Sequence, residues 1–105
     1  MSGSSGFTFS SSPSEQSCEK LTILTRLASP VPNVIATLVV GDILNIRLSS
    51  VLGPVEAVTN QNQIAGAILT AKLAQLINCI ASGTTYVAKV LIVNGGECQV
   101  SIYCP

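Results

Sequence analysis

Five carboxylates, four cysteines and no histidine are what this chain of 105 residues offers to a reaction. Histidine is the commonest general base, the commonest metal ligand and the usual middle member of a nucleophile triad, so its absence closes the readiest routes to all three. Glu15, Glu19, Asp42, Glu56 and Glu97 are scattered, and local periodicity brings no two of them together as an acid and base pair. Cys18, Cys79, Cys98 and Cys104 contain no Cys-x-x-Cys. A structural zinc site ordinarily shows paired ligands about two to four residues apart. No phosphate-binding or dinucleotide fingerprint occurs either, because Gly95-Gly96 lies between strand-like runs and not before a helix. These residues predict a non-enzymatic protein without metal or cofactor.

What remains is binding chemistry. Arg26, Arg47 and Lys89, with Lys72, are the cations able to line a phosphate-binding face, and Tyr86 and Tyr103 are the tyrosines that would stand beside them. The ordinary reading of such dispersed cations is a solvated surface. Five acids balance five bases, and charged residues make up only 10% of the chain, so no net field steers a polyanion to it. The amides Asn60, Gln61, Asn62 and Gln63 form a polar tip that could recognise a base edge or a peptide, although hairpin tips are commonly just polar and mobile.

The thiols admit two readings. They are reduced small hydrophobes, as in many cytosolic cores, or they form a disulfide framework, in which case Cys18 with Cys98 or Cys104 is the pair to examine, because terminal strands often meet. The N-terminus lacks the basic-then-apolar order of a secretory signal, which favours reduced thiols and a cytoplasmic location. The longest apolar run, Val34 to Val40, is far below the roughly 20 residues that cross a bilayer, so no transmembrane helix is expected.

The elements that must position these groups are mostly strands. Residues 1–17 are Ser- and Gly-rich without apolar periodicity and predict a flexible tail, its first six residues resembling a cloning remnant and its Phe7 and Phe9 dangling. Residues 18–105 read as one domain. Leu21, Ile23, Thr25 and Leu27 alternate with Thr22, Leu24 and Arg26, which is a strand, and the prolines of "SPVPN" then interrupt it. Leu44, Ile46 and Leu48 share a face of a second strand that follows a Gly41-Asp42 turn. The runs "VEAVT" and "IAGAIL" flank the four amides as a hairpin, and Gly66 within the second run marks a bulge or a close approach of backbone. After Leu69 the period changes. Leu69, Leu73, Leu76, Ile77 and Ile80 recur at three- and four-residue spacing, which predicts one helix with Thr70 as N-cap, Gly83 as its stop and Cys79 partly buried beside the stripe. Strands return in "TTYVAKVLIV" and "CQVSIYC", joined through Asn94-Gly95, with Tyr103 half exposed.

Nearly half the chain is hydrophobic (48%) but only two tyrosines and two phenylalanines are aromatic, so the core is aliphatic and suits β packing. Five or six short antiparallel strands with one inserted helix close most economically into a small SH3- or OB-like barrel, the helix plugging or flanking one end.

From Gly41 to Tyr103 the chain resembles the HIRAN domain. The runs "GDILNIRL", "VEAVTNQNQIAGAIL" and "LAQLINCIASGTTYVAKVLIVNGGECQVSI" occupy the places of that family's first strand, polar-tipped hairpin, leucine-bearing helix and closing strand pair. The resemblance implies a small β-barrel, and for several members single-stranded DNA binding as accessory modules of helicases and repair proteins. Where the family carries an Asn-Pro-aromatic-Asp segment, this chain has "SSVLGPV". Base stacking needs aromatic platforms, so the implied fold carries over more readily than the implied DNA binding. Low charge and high aliphatic content favour a module that binds a protein partner or assembles with itself, with weak, salt-sensitive single-stranded nucleic-acid binding as the alternative.

Overall fold

The computed structural model describes residues 17–50 and 53–105. The expected tail, with Phe7 and Phe9, lies outside the described residues except for Ser17. After a 3₁₀ turn at Cys18–Lys20 come six strands: β1 (Ile23–Ala28), β2 (Ile43–Leu48), β3 (Val55–Val58), β4 (Ile64–Ile68), β5 (Val87–Asn94) and β6 (Glu97–Tyr103). They close into an antiparallel barrel in the order β1-β4-β3-β2-β5-β6 and back to β1, the small six-stranded barrel that the sequence predicts.

Closure depends on β1 serving two neighbours. Its first half pairs with β6, from Ile23 opposite Ile102 to Arg26 opposite Gln99, and its last two residues pair with β4, Leu27 opposite Ile68 and Ala28 opposite Ala67. The inward positions of the strands are the alternating aliphatics: Ile23, Leu27, Leu44, Val55, Ala88, Val90, Val100 and Ile102 are all buried. Gly66 stands where β4 crosses under β1. A Cβ there would lie 2.9 Å from Leu27 Cβ and 3.0 Å from the Ala28 carbonyl oxygen, so only glycine allows the two backbones to approach this closely. The register between β3 and β4 also shifts at Ala57/Val58.

Helices close both ends. The helix α2 (Leu73–Ala81) inserts Leu76 and Cys79 into the core, with Leu73, Ile77 and Ile80 packed against it. Its C-terminus follows the Schellman pattern: Gly83, at φ +107, gives its N–H to Ile80 O and Thr84 gives its N–H to Cys79 O. Its start lies later than the sequence predicts. Thr70 does not cap α2; its carbonyl and hydroxyl accept from the N–H groups of Leu73 and Lys72 in a preceding turn, and Lys72 occupies the N-cap position. At the opposite end a short helix α1 (Pro32–Ile35), which the sequence does not suggest, buries Val34 and Ile35. The second proline of "SPVPN" starts this helix, since a first-turn residue needs no N–H.

The cysteines correct two expectations: the thiols are not all reduced, and the bonded pair is not the one the chain ends suggest. Cys18 is bonded to Cys79, with Cα atoms 5.6 Å apart, and not to Cys98 or Cys104, which are free thiols. The bond ties the turn before β1 to α2, and the Tyr86 hydroxyl donates to the Cys18 carbonyl oxygen at 2.6 Å in the same place. Terminal strands do meet, β1 with β6, but Cys98 lies at the far end of β6 and Cys18 lies ahead of β1, within reach of the helix.

Candidate functional site: an aliphatic face and an amide-walled cleft

Cross-strand register fixes which outward side chains stand side by side. Ile43 on β2 faces Lys89 on β5, Lys89 faces Ser101 on β6, and Ser101 faces Leu24 on β1, so these residues form one row around the outside of the barrel. The row toward α2 carries Asn45, Val87 and half-buried Tyr103, and the row on the other side carries Ile92, Gln99 and Arg26. Leu24 is 66% exposed, Ile92 52% and Ile43 42%. The turn before β2, with exposed Val39 and Val40, is stitched to β5 by Gly41 N–H to Val90 O and Val90 N–H to Asp42 O, both 2.8 Å. The outer surface of β1, β2, β5 and β6 therefore mixes exposed aliphatics, Leu24, Ile43 and Ile92, with Lys89, Arg26 and uncharged polar side chains. Among the described residues no carboxylate pairs with Lys89.

The cations singled out in the sequence do not converge. Arg26 and Arg47 lie on opposite sides of the Lys89 row, on strands three steps apart around the barrel. Each has a carboxylate neighbour: Arg26 is 3.6 Å from Glu97 at an exposed site, and Arg47 is 3.1 Å from Glu56, directly opposite it on β3. Tyr86 is buried to 1% exposure, so its ring is core and not a stacking platform. Burial, with the Cys104 thiol and the Glu19 carboxylate nearby, pushes its hydroxyl above the usual tyrosine range. Of the residues singled out, Lys89 and Tyr103 are a cation and an aromatic on one accessible face, which also carries Arg26 beside Glu97.

The amide tip is held rather than loose. Thr59 and Gln63 close the hairpin through Thr59 N–H to Gln63 O at 2.8 Å, and the Thr59 hydroxyl accepts from Gln63 N–H. Asn62 adopts the left-handed conformation (φ 66), which asparagine tolerates better than most residues, and its N–H returns to Thr59 O. Arg47 donates from Nη1 to Asn62 Oδ1 at 3.0 Å and so fixes the tip against the outside of β2. Sequence reading treats Arg47 as a ligand-binding cation; its two partners give it a structural role that only the three-dimensional register reveals.

Fixing Asn62 leaves Asn60 and Gln61 to form one wall of a cleft of about 320 Å³. Thr59 completes that wall, Thr37 and Asp42 stand opposite, and Leu38 and Leu44 contribute apolar lining, with Ile43 shared between cleft and outer face. Leu38 and Asp42 come from the segment after α1, whose contribution the sequence does not foreshadow.

Among the described residues no three histidine, cysteine or acidic side chains group as metal ligands, and no helix is long and apolar enough to cross a membrane. Compared with known proteins, the chain matches no protein-family model, and no curated protein or solved structure is detectably similar to it.

Proposed function

We propose that this chain is a non-enzymatic binding module that acts by protein contact, assembling with a second copy of itself through the outer face of β1, β2, β5 and β6. The observation that carries the reading is the exposure of Leu24, Ile43 and Ile92 on the outer surface of β1, β2, β5 and β6, where Lys89, Ser101 and Gln99 stand between them. Large aliphatic side chains grouped at the surface mark contact sites, because covering them removes apolar area from water at about 25 cal/mol per Å². The face also carries charges of both signs, with Lys89 on β5 and Glu97 further along β6. A two-fold axis between them would bring each lysine to the other copy's Glu97, which within its own chain has only exposed Arg26 beside it, and so make the patch self-complementary.

Light scattering on the eluting full chain tests this. The expected result is a dimer or larger species that persists at high salt, reduced to monomer by Leu24→Asp together with Ile92→Asp. A wild-type monomer at about 0.1 mM would refute assembly through this face. The HIRAN-like reading keeps one specific support, Lys89 and Tyr103 on the same face. It predicts a mass gain with a short single-stranded oligonucleotide at low salt that disappears as salt is raised.

A further inference from the structure

The cleft between the amide tip and the turn before β2 borders the assembly face at Ile43, but its chemistry is of a different kind. Asp42 supplies a carboxylate of which Oδ2 accepts from Val39 N–H at 2.9 Å, leaving Oδ1 uncommitted, and no cation pairs with it among the described residues. The side chains of Asn60 and Gln61 are exposed and make no hydrogen bond among the described residues. The Thr37 hydroxyl donates to Val34 O, and the Thr59 hydroxyl is buried and accepts from Gln63 N–H, so both oxygens keep spare capacity. The lining is thus one carboxylate and several carbonyl- or hydroxyl-type acceptors over a floor of Leu38 and Leu44, with no lysine or arginine. The single charge in the lining is negative, and the amide and hydroxyl groups can donate or accept, so the cleft favours a cation over an anion.

We infer that this cleft is a binding site for an alkylammonium or guanidinium group: a cation with several N–H donors and a short apolar stem. The charged head would pair with Asp42 and share its remaining donors among the Asn60, Gln61 and Thr59 oxygens, while the stem lies on the leucines. At about 320 Å³ the cleft sits at the small end of the range for ligand pockets, which suits one amino-acid side chain or a small amine better than a cofactor. The same chemistry reaches it from a free amine or from a lysine or arginine of a bound chain.

Backbone-amide NMR of the full chain distinguishes these sources and tests the site. The probes are n-butylammonium chloride, the blocked peptide acetyl-Ala-Lys-Ala-amide, and sodium acetate as the anionic control. The expected result is saturable movement of the Asp42, Ile43, Thr59, Asn60 and Gln61 resonances with the two cations and none with acetate. Asp42→Asn keeps an acceptor for Val39 N–H while removing the charge, and it should weaken both cations about tenfold. Tighter binding of the peptide than of the amine assigns the site to a chain-borne side chain, and equal binding assigns it to a small amine. Movement centred on Glu56 or Glu97 instead, equal binding by Asp42→Asn in a folded variant, or no movement at all would overturn the inference. Repeating the titration on the monomeric Leu24→Asp, Ile92→Asp variant separates this site from the assembly face, since cation binding should survive there unchanged.

Discussion

Replacing Cys18 and Cys79 together by serine opens a loop that the disulfide closes across 61 residues of sequence. In the chain-entropy account, closing a loop of that length in the unfolded chain raises folding stability by about 4 kcal/mol at 25 °C. That is a large part of the roughly 5–15 kcal/mol by which domains of this size are stable. The bond also anchors the 3₁₀ turn whose Cys18 carbonyl accepts from the buried Tyr86 hydroxyl, so opening it loosens a contact in the core. Urea unfolding followed by far-ultraviolet circular dichroism gives the measurement. With a slope of about 1 kcal/mol per molar urea, the midpoint should fall by about 3–4 M in the double variant, and equally in wild type treated with reductant. Without reductant, unfolded wild type should expose two alkylatable thiols, Cys98 and Cys104, and peptide mapping should return Cys18 linked to Cys79. A midpoint shift below about 1 M in both reduced and double-serine forms would refute the reasoning, as would a mapped link between Cys18 and Cys104.

Gly66→Ala should destabilise the barrel by about 2–3 kcal/mol in the same urea assay, because the added methyl group meets Leu27 Cβ and the Ala28 carbonyl where neither can easily retreat; a loss under about 0.5 kcal/mol would mean that β1 and β4 can separate. Alkaline pH should also weaken the fold. Burial holds the protons of Tyr86 and Cys98 more tightly in the folded chain than in the unfolded one, so stability is full below the unfolded pKa values, roughly 8.5 for a thiol and 10 for a phenol, and falls as pH rises past them. Tyr86→Phe with Cys98→Val should flatten that decline, and an unchanged alkaline slope in the variant would show that other groups cause it.

Much of the barrel is legible in the chain because local pattern and tertiary role agree. Leu44, Ile46 and Leu48 alternate in sequence and face inward in β2, and Leu73, Leu76, Ile77 and Ile80 follow a helical stripe and pack on the core. Gly66 announces a close approach, and Gly83 announces the end of α2. Where meaning depends on a distant partner, the pattern is silent. Pro32 looks like a breaker and in fact starts a helix whose Val34 and Ile35 close the barrel. Tyr86 looks like a stacking residue until the Cys18 carbonyl appears beside its hydroxyl. Arg47 looks like a free cation until Glu56 and Asn62 are placed against it. The cleft is invisible in sequence for the same reason: Asp42 and Asn60 come from different elements, and only the folding of β2 against β3 makes them neighbours.

Because β1 begins beside the end of β6, the polypeptide enters and leaves this domain at a single pole, the one that α2 covers. The cleft and the hairpin tip crown the other pole. Any neighbour spliced to the chain at Ser17 or Pro105, or around both as host to an insertion, is joined behind the domain, so the tip stays presented outward like a plug held by its cord.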